Sequence, residues 1–131
     1  MAIKTLCLDY DHTYQGNRDV FDETIFNFFN AGWNVILATY RHPTLDWHPD
    51  FQHLEDQGVK CYFSDGKAKK PFLEALGIKV DVWIDDNPKA ILEDSAWPHE
   101  SPELNAWREE QRKLGKIQDK EVFIYNEKEA A

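Results

Sequence analysis

The sequence predicts an α/β protein: an open parallel sheet of about five strands with helices on both faces, a three-layer α/β/α arrangement of the Rossmann-like kind. Three observations predict it. Several short runs are apolar on successive residues, which suits strands covered on both faces. These runs alternate with segments that carry helix start and stop signals. The length of 131 residues, with 42% hydrophobic and 14% aromatic content, fits one compact domain over 1–131 and leaves little for a second.

The first run is IKTLCLD at 3–9. It is followed by FDETIFNFFNAG at 21–32, where Phe21, Ile25, Phe28 and Phe29 share one helical face and Gly32 stands just past the end. The second run, WNVILAT at 33–39, leads to HPDFQHLEDQG at 48–58, with Pro49 inside the start and Gly58 beyond the end. VKCYF at 59–63 reads as the third strand, and KKPFLEALG at 69–77 repeats the helix signature with Pro71 and Gly77. VDVWI at 80–84 is the fourth strand. A helix over SPELNAWREEQRKLG at 101–115 and a fifth strand, EVFIY at 121–125, complete the pattern. No repeat, low-complexity segment or linker divides the chain.

Composition excludes several classes. The net charge of -9 makes nucleic acid or an anionic membrane surface an unfavourable partner, and Lys67, Lys69 and Lys70 form the densest basic cluster. Cys7 and Cys61 each lie inside an apolar run, as buried thiols of a reducing compartment do. The five histidines lack ligand spacing, which argues against zinc. The N-terminus has no signal-peptide pattern and no stretch approaches a membrane-spanning length, so a cytoplasmic protein with no membrane partner is expected.

In open parallel sheets the ligand crevice lies beyond the carboxyl ends of the strands. The first predicted strand ends in Asp9 and Asp11, the second in Thr39, Tyr40 and Arg41, and the fourth in Asp85 and Asp86; Lys67, Lys69 and Lys70 precede the third helix. Taken singly, each has an ordinary explanation. An Asp pair after a strand serves turns and caps, DDNP starts a helix, threonine suits strands, and a lysine-rich loop is solvated. All of them at one edge of the sheet is a different matter. Four carboxylates in one crevice repel, and a cation must sit among them. All-oxygen ligation with room for water and phosphate suits Mg²⁺, with Asp9, Asp11, Asp85 and Asp86 as the metal set. A hydroxyl and a lysine opposite would hold phosphate oxygens and leave a carboxylate facing phosphorus.

The set LDYDHT, VILAT, a lysine at a helix start and VWIDDNP resembles the haloacid dehalogenase superfamily of aspartate-nucleophile phosphohydrolases, with the motifs in that family's order over residues 3 to 93. The resemblance implies a Mg²⁺-dependent phosphatase in which Asp9 is the nucleophile that forms an aspartyl-phosphate. Asp11 would be the acid for the leaving group and then the base for water, with its backbone carbonyl on the metal. Thr39 and a lysine would bind the phosphoryl group. Asp85 would ligate the metal, with Asp86 beside it directly or through water. Lys69, two residues before Pro71, is preferred, with Lys70 and then Lys67 behind it. Tyr40 and Arg41 join as phosphate contacts, since guanidinium pairs bidentately with phosphate oxygens; the alternative for Arg41 is to cap the strand end. His12 departs from the pattern, standing where many members have glycine; it either shapes the pocket mouth or is an exposed loop residue.

The residue types also make chemical sense by themselves. A carboxylate nucleophile divides ester hydrolysis into two easier displacements, and a second, protonated carboxyl can deliver a proton to the departing oxygen. A spacing of two puts both on one side of a strand, so only a chain that curls after Asp9 can aim both at one phosphate.

About 25 residues separate Thr13 from Thr39, enough for a helix and a short flap, YQGNRDV, and the span from Thr39 to Lys69 is used by one helix and one strand. The chain therefore resembles the capless type, whose open site admits a phosphorylated small molecule or phosphoprotein, or is closed by a second protomer of a homo-oligomer. In the segment from Ser95 to Glu121, Trp97, Pro98, His99 and Trp107 either pin a helix to the sheet or form a substrate wall or oligomer contact. Two rival classes are a receiver-like phosphorylation module, whose motif order fits badly, and a catalytically idle binding protein of the same fold.

Overall fold

The apolar runs become strands, the first two buried almost throughout. All of Thr5–Leu8 is buried, and Asn34–Thr39 is buried after its first residue. In the computed structural model, which describes residues 3–95 together with 110, 113 and 114, the elements are β1 (Thr5–Leu8), α1 (Arg18–Asn30), β2 (Asn34–Thr39), α2 (Pro49–Asp56), β3 (Lys60–Phe63), α3 (Lys69–Ala75), β4 (Val82–Ile84) and α4 (Lys89–Leu92). The four strands form one parallel sheet in the order β3-β2-β1-β4. About five strands were expected; the one at 121–125 lies outside the described residues, as does most of the helix at 101–115 and the cluster Trp97, Pro98, His99 and Trp107.

Alternation along each strand sends successive side chains to opposite faces. Leu6, Leu8, Val35, Leu37, Cys61 and Phe63 join Ile25 of α1 and Phe51 and Leu54 of α2 in one apolar cluster. Cys7, Ile36, Ala38 and Tyr62 join Phe72 and Leu73 of α3 in the other. Helices therefore flank the sheet. The helical face expected from Phe21, Ile25, Phe28 and Phe29 is the one that packs, with Ile25 buried and the phenylalanines half-buried against the first cluster.

The start of α1 differs from expectation. α1 begins at Arg18, three residues before Phe21, because its first turn is polar and carries no apolar periodicity to read. Asn17 sits before it, its carbonyl accepting from Phe21 N–H at 3.1 Å and its side chain donating to the Thr13 carbonyl at 3.0 Å. The flap YQGNRDV thereby shrinks to Gln15–Asn17. At α2, Pro49 opens the helix as expected, and His48 Nδ1 accepts from Asp50 N–H at 3.0 Å. Gly58 follows α2 at φ +96°, a conformation that side chains rarely adopt, and a Cβ there would meet the Phe29 ring at 3.7 Å.

The chain runs from β1 outward to β2 and β3, then crosses to place β4 on the other side of β1. The direction of winding reverses at β1, so the crevice opens between the carboxyl ends of β1 and β4. Beyond Leu8 the chain curls in a wide turn, with Tyr14 N–H donating to the Asp9 carbonyl at 3.3 Å and Gln15 N–H to the Tyr10 carbonyl at 2.9 Å. Tyr10 and Tyr14 are fully buried and anchor that turn in the core. His12, at φ 60°, supplies its sharpest bend. Between Thr39 and Lys69 only α2 and β3 intervene, with no inserted domain.

Candidate active site

Asp9 is carried by the last backbone pairing of the sheet, its N–H donating to the Ile84 carbonyl at 2.9 Å. That bond ties the end of β1 to the end of β4 and brings Asp85 and Asp86 alongside. Carboxylate oxygens of Asp9, Asp85 and Asp86 all lie within 4.8 Å of one another. Lys69, at the first position of α3 and only 2% exposed, inserts between two of them: its Nζ donates to Asp9 Oδ1 at 2.7 Å and to Asp85 Oδ2 at 2.7 Å. Of the three lysines considered, it is the one at the centre. Lys67 is exposed and stands 4.0 Å from Asp94, and Lys70 is exposed.

Thr13 closes the cluster. Its hydroxyl lies 3.1 Å from Asp9 Oδ2 and 3.4 Å from Asp86 Oδ1, and it accepts from the Asp86 N–H at 3.3 Å. Asp85 Oδ1 accepts from Asn87 N–H at 3.0 Å, which fixes the carboxylate at the start of the turn into α4. Sequence reasoning quoted Thr13 as the last residue of its motif but gave it no role. The signal was its place four residues after Asp9, which the wide turn converts into contact.

Electrostatics follow from one cation among three acidic groups in a partly dry site. Burial pushes the Asp9 carboxyl up to about 7; the Lys69 charge pulls it down, and Asp86 and Asp85 oppose that pull. Burial also works against the Lys69 ammonium, but the Asp9 charge, aided by Asp85, outweighs it and leaves the lysine above its ordinary value and charged. The Tyr40 ring lies over that ammonium at 5.6 Å.

The other expected residues are placed less simply. Asp11 does not join the side-chain cluster; its carboxylate is clamped by Arg41, with Nε 3.1 Å from Oδ1 and 3.2 Å from Oδ2, and Nη2 2.7 Å from Oδ1. Arg41, expected on phosphate, also gives Nη1 to the Asp46 carbonyl at 2.9 Å. Tyr40 walls the cleft, but its hydroxyl is taken by the Glu93 carbonyl. Thr39 is fully buried, and its hydroxyl accepts from Arg41 N–H at 3.2 Å. It does not line the cleft, because the turn out of β2 uses its oxygen for a backbone donor. The cleft, of about 160 Å³, is lined by Asp9, Asp11, His12, Tyr40, Lys69, Asp85, Asp86, Asn87 and Ala90.

The donor set can hold a hard divalent cation. Three carboxylates, with no sulfur or imidazole among them, offer the all-oxygen ligation that Mg²⁺ takes, and the cluster carries more negative than positive charge. No protein-family model, curated protein or solved structure matches the chain. What fold and site define is an α/β protein with a lysine-bridged acidic centre at the switch point of its sheet. Among the described residues no helix is long and apolar enough to cross a membrane.

Proposed function

We propose that the chain is a single-domain, capless, cytoplasmic phosphatase with the three-layer Rossmann-like fold of the haloacid dehalogenase superfamily, hydrolysing phosphomonoesters through an aspartyl-phosphate on Asp9. One observation carries the reading: Asp9, Asp85, Asp86 and Lys69 converge at the ends of β1 and β4 and the start of α3, three carboxylates around one ammonium at the switch point of the sheet. Asp9, Asp85 and Asp86 would hold Mg²⁺, with the Asp11 backbone carbonyl as the further ligand that the motif resemblance suggests. The ion would offset charge on the phosphoryl oxygens.

The protein's own groups divide the work. Lys69 and Thr13 grip the two oxygens of Asp9 and fix the plane of its carboxylate. An Asp9 oxygen attacks phosphorus, forming the acyl-phosphate bond as the ester P–O bond breaks, and Asp11 gives its proton to the departing oxygen. Water then attacks the phosphorus, Asp11 takes a proton from it, and Asp9 is released with inorganic phosphate. Lys69 binds phosphoryl oxygens while remaining charged. The open cleft admits a phosphorylated small molecule or a phosphoprotein side chain, and a neighbouring protomer is one way to close it.

The test is Mg²⁺-dependent hydrolysis of a generic aryl phosphate by the purified protein. Turnover that stops with chelator and is absent in Asp9→Asn supports the reading. Turnover indifferent to chelator, or full activity in Asp9→Asn, rejects it. Phosphorylated metabolites, nucleotides and phosphopeptides compared side by side would then identify the substrate class.

A further inference from the structure

Asp11 follows an anchored residue, Tyr10, but its own side chain extends into the open cleft. It lies in a turn, its side chain is 41% exposed, and the next residue, His12, is in the left-handed region. A proton donor that wanders loses most of its effect, since a displacement of about 1 Å can cost about 100-fold in rate. Something else must hold it.

We infer that Arg41 is the positioning residue for Asp11, and that its guanidinium, braced from behind, holds that carboxyl in place at the cleft. The inference rests on the phosphatase reading above. The brace is built from several elements. Arg41 lies over the Tyr10 ring at 4.8 Å and donates through Nη1 to the Asp46 carbonyl at 2.9 Å. Tyr10 is buried and donates its hydroxyl to Asp50 at 2.8 Å, and Asp50 is paired with Arg18 of α1 at 3.2 Å. The guanidinium is thus held against a buried ring and a backbone carbonyl, which fixes the carboxylate it grips relative to the core.

The clamp is unequal. Oδ1 of Asp11 accepts from both Nη2 at 2.7 Å and Nε at 3.1 Å, whereas Oδ2 accepts from Nε at 3.2 Å. Swinging the carboxyl away from this grip breaks all three contacts, so the guanidinium fixes where it stands beside the cleft. In the reaction proposed above its proton passes to the ester oxygen as the P–O bond breaks, and water returns one in the second step.

This differs from a phosphate-binding role for Arg41 in a way that kinetics resolves. Wild type, Arg41→Ala, Arg41→Lys, Asp11→Asn and the double variant Arg41→Ala with Asp11→Asn are compared in kcat/KM with Mg²⁺ on two esters. Phenyl phosphate needs a proton on its leaving oxygen; dinitrophenyl phosphate does not. The expected result is a loss of roughly 10- to 100-fold for Arg41→Ala on phenyl phosphate, less than about threefold on dinitrophenyl phosphate, and no further loss on adding Arg41→Ala to Asp11→Asn. Equal losses on the two esters, or a double variant slower by the product of the single effects, would overturn the inference. Arg41→Lys keeps the charge but cannot grip both oxygens, so it carries the same comparison if Arg41→Ala does not fold, as judged by circular dichroism. Wild type that hydrolyses neither ester removes the phosphatase reading and the inference together. Turnover with equal losses removes the inference alone.

Discussion

Lys69 Nζ stands 2.7 Å from Asp9 Oδ1 and 2.7 Å from Asp85 Oδ2, so one buried ammonium bridges the ends of β1 and β4 from the start of α3. The lysine side chain is 2% exposed, and burying a charge so fully is tolerable only because two carboxylates surround it.

Removing that ammonium should therefore be costly. Lys69→Met in metal-free protein is expected to lose about 3–5 kcal/mol of stability, because Asp9 and Asp85 are left buried without their counter-charge. Urea denaturation in chelator measures it. Added Mg²⁺ should restore part of the loss in this variant, and a midpoint that Mg²⁺ leaves unmoved would count against carboxylates that share a cation.

The two aspartates of the first motif should fail differently. Asp9→Asn keeps the shape but removes the nucleophile, and turnover of an aryl phosphate should vanish. Asp11→Asn removes proton transfer together with the charge that Arg41 grips, and should lower kcat/KM on phenyl phosphate by about 100- to 10,000-fold. Steady-state kinetics with circular dichroism as the folding control distinguishes them.

The pH dependence of metal stabilisation has a definite sign. With the Asp9 carboxyl raised to about 7 by burial, the folded state holds this proton more tightly than the unfolded chain does. Its contribution to metal-free stability is full below the ordinary carboxylate range and is lost as pH rises through about 7. Mg²⁺ needs the ionised form, so the gain in Tm on adding Mg²⁺ should be small near about pH 5 and larger near about pH 8. Reading the difference with and without Mg²⁺ at each pH cancels opposing groups such as Asp22, whose carboxyl is held low: burial raises it, but hydrogen bonds from Tyr14, His53 and Gln57 prevail. A gain that shrinks toward higher pH would contradict the assignment.

The mount matters as much as the charges. Leu37 is fully buried in β2 beside β1, in register with Leu8 just before Asp9. Leu37→Ala should cost about 2–5 kcal/mol through the cavity left behind, measured by thermal or urea unfolding. Because Asp9 is attached to β1, the variant should also lose activity below its unfolding temperature.

Much of this was readable from residues alone. Runs apolar on successive positions gave four strands within a residue or two, and Gly32 and Gly58 marked the ends of α1 and α2. Asp9 and Asp85 were legible because each follows a strand directly, with Asp86 next to Asp85, and strand direction sends them to one edge. Lys69 was separable from Lys67 and Lys70 by its place two residues before Pro71. The start of α1 was not legible, since Arg18 and Asp19 carry no apolar period. The partner of Asp11 was hidden for another reason. Arg41 lies thirty residues away along the chain, and their meeting depends on the wide turn after Asp9 and on the exit from β2. The setting of Thr39 was not legible, because a threonine at a strand end looks the same whether its hydroxyl faces a ligand or, as here, accepts from a backbone N–H.

The most direct measurement is acid-quenched mass spectrometry of the protein caught during turnover of an aryl phosphate with Mg²⁺. A phosphoryl group on the peptide containing Asp9, absent in Asp9→Asn and absent with chelator, is the expected result. Sustained Mg²⁺-dependent turnover in a protein that never carries phosphate at Asp9, and that continues in Asp9→Asn, would contradict the assignment of Asp9 as the nucleophile.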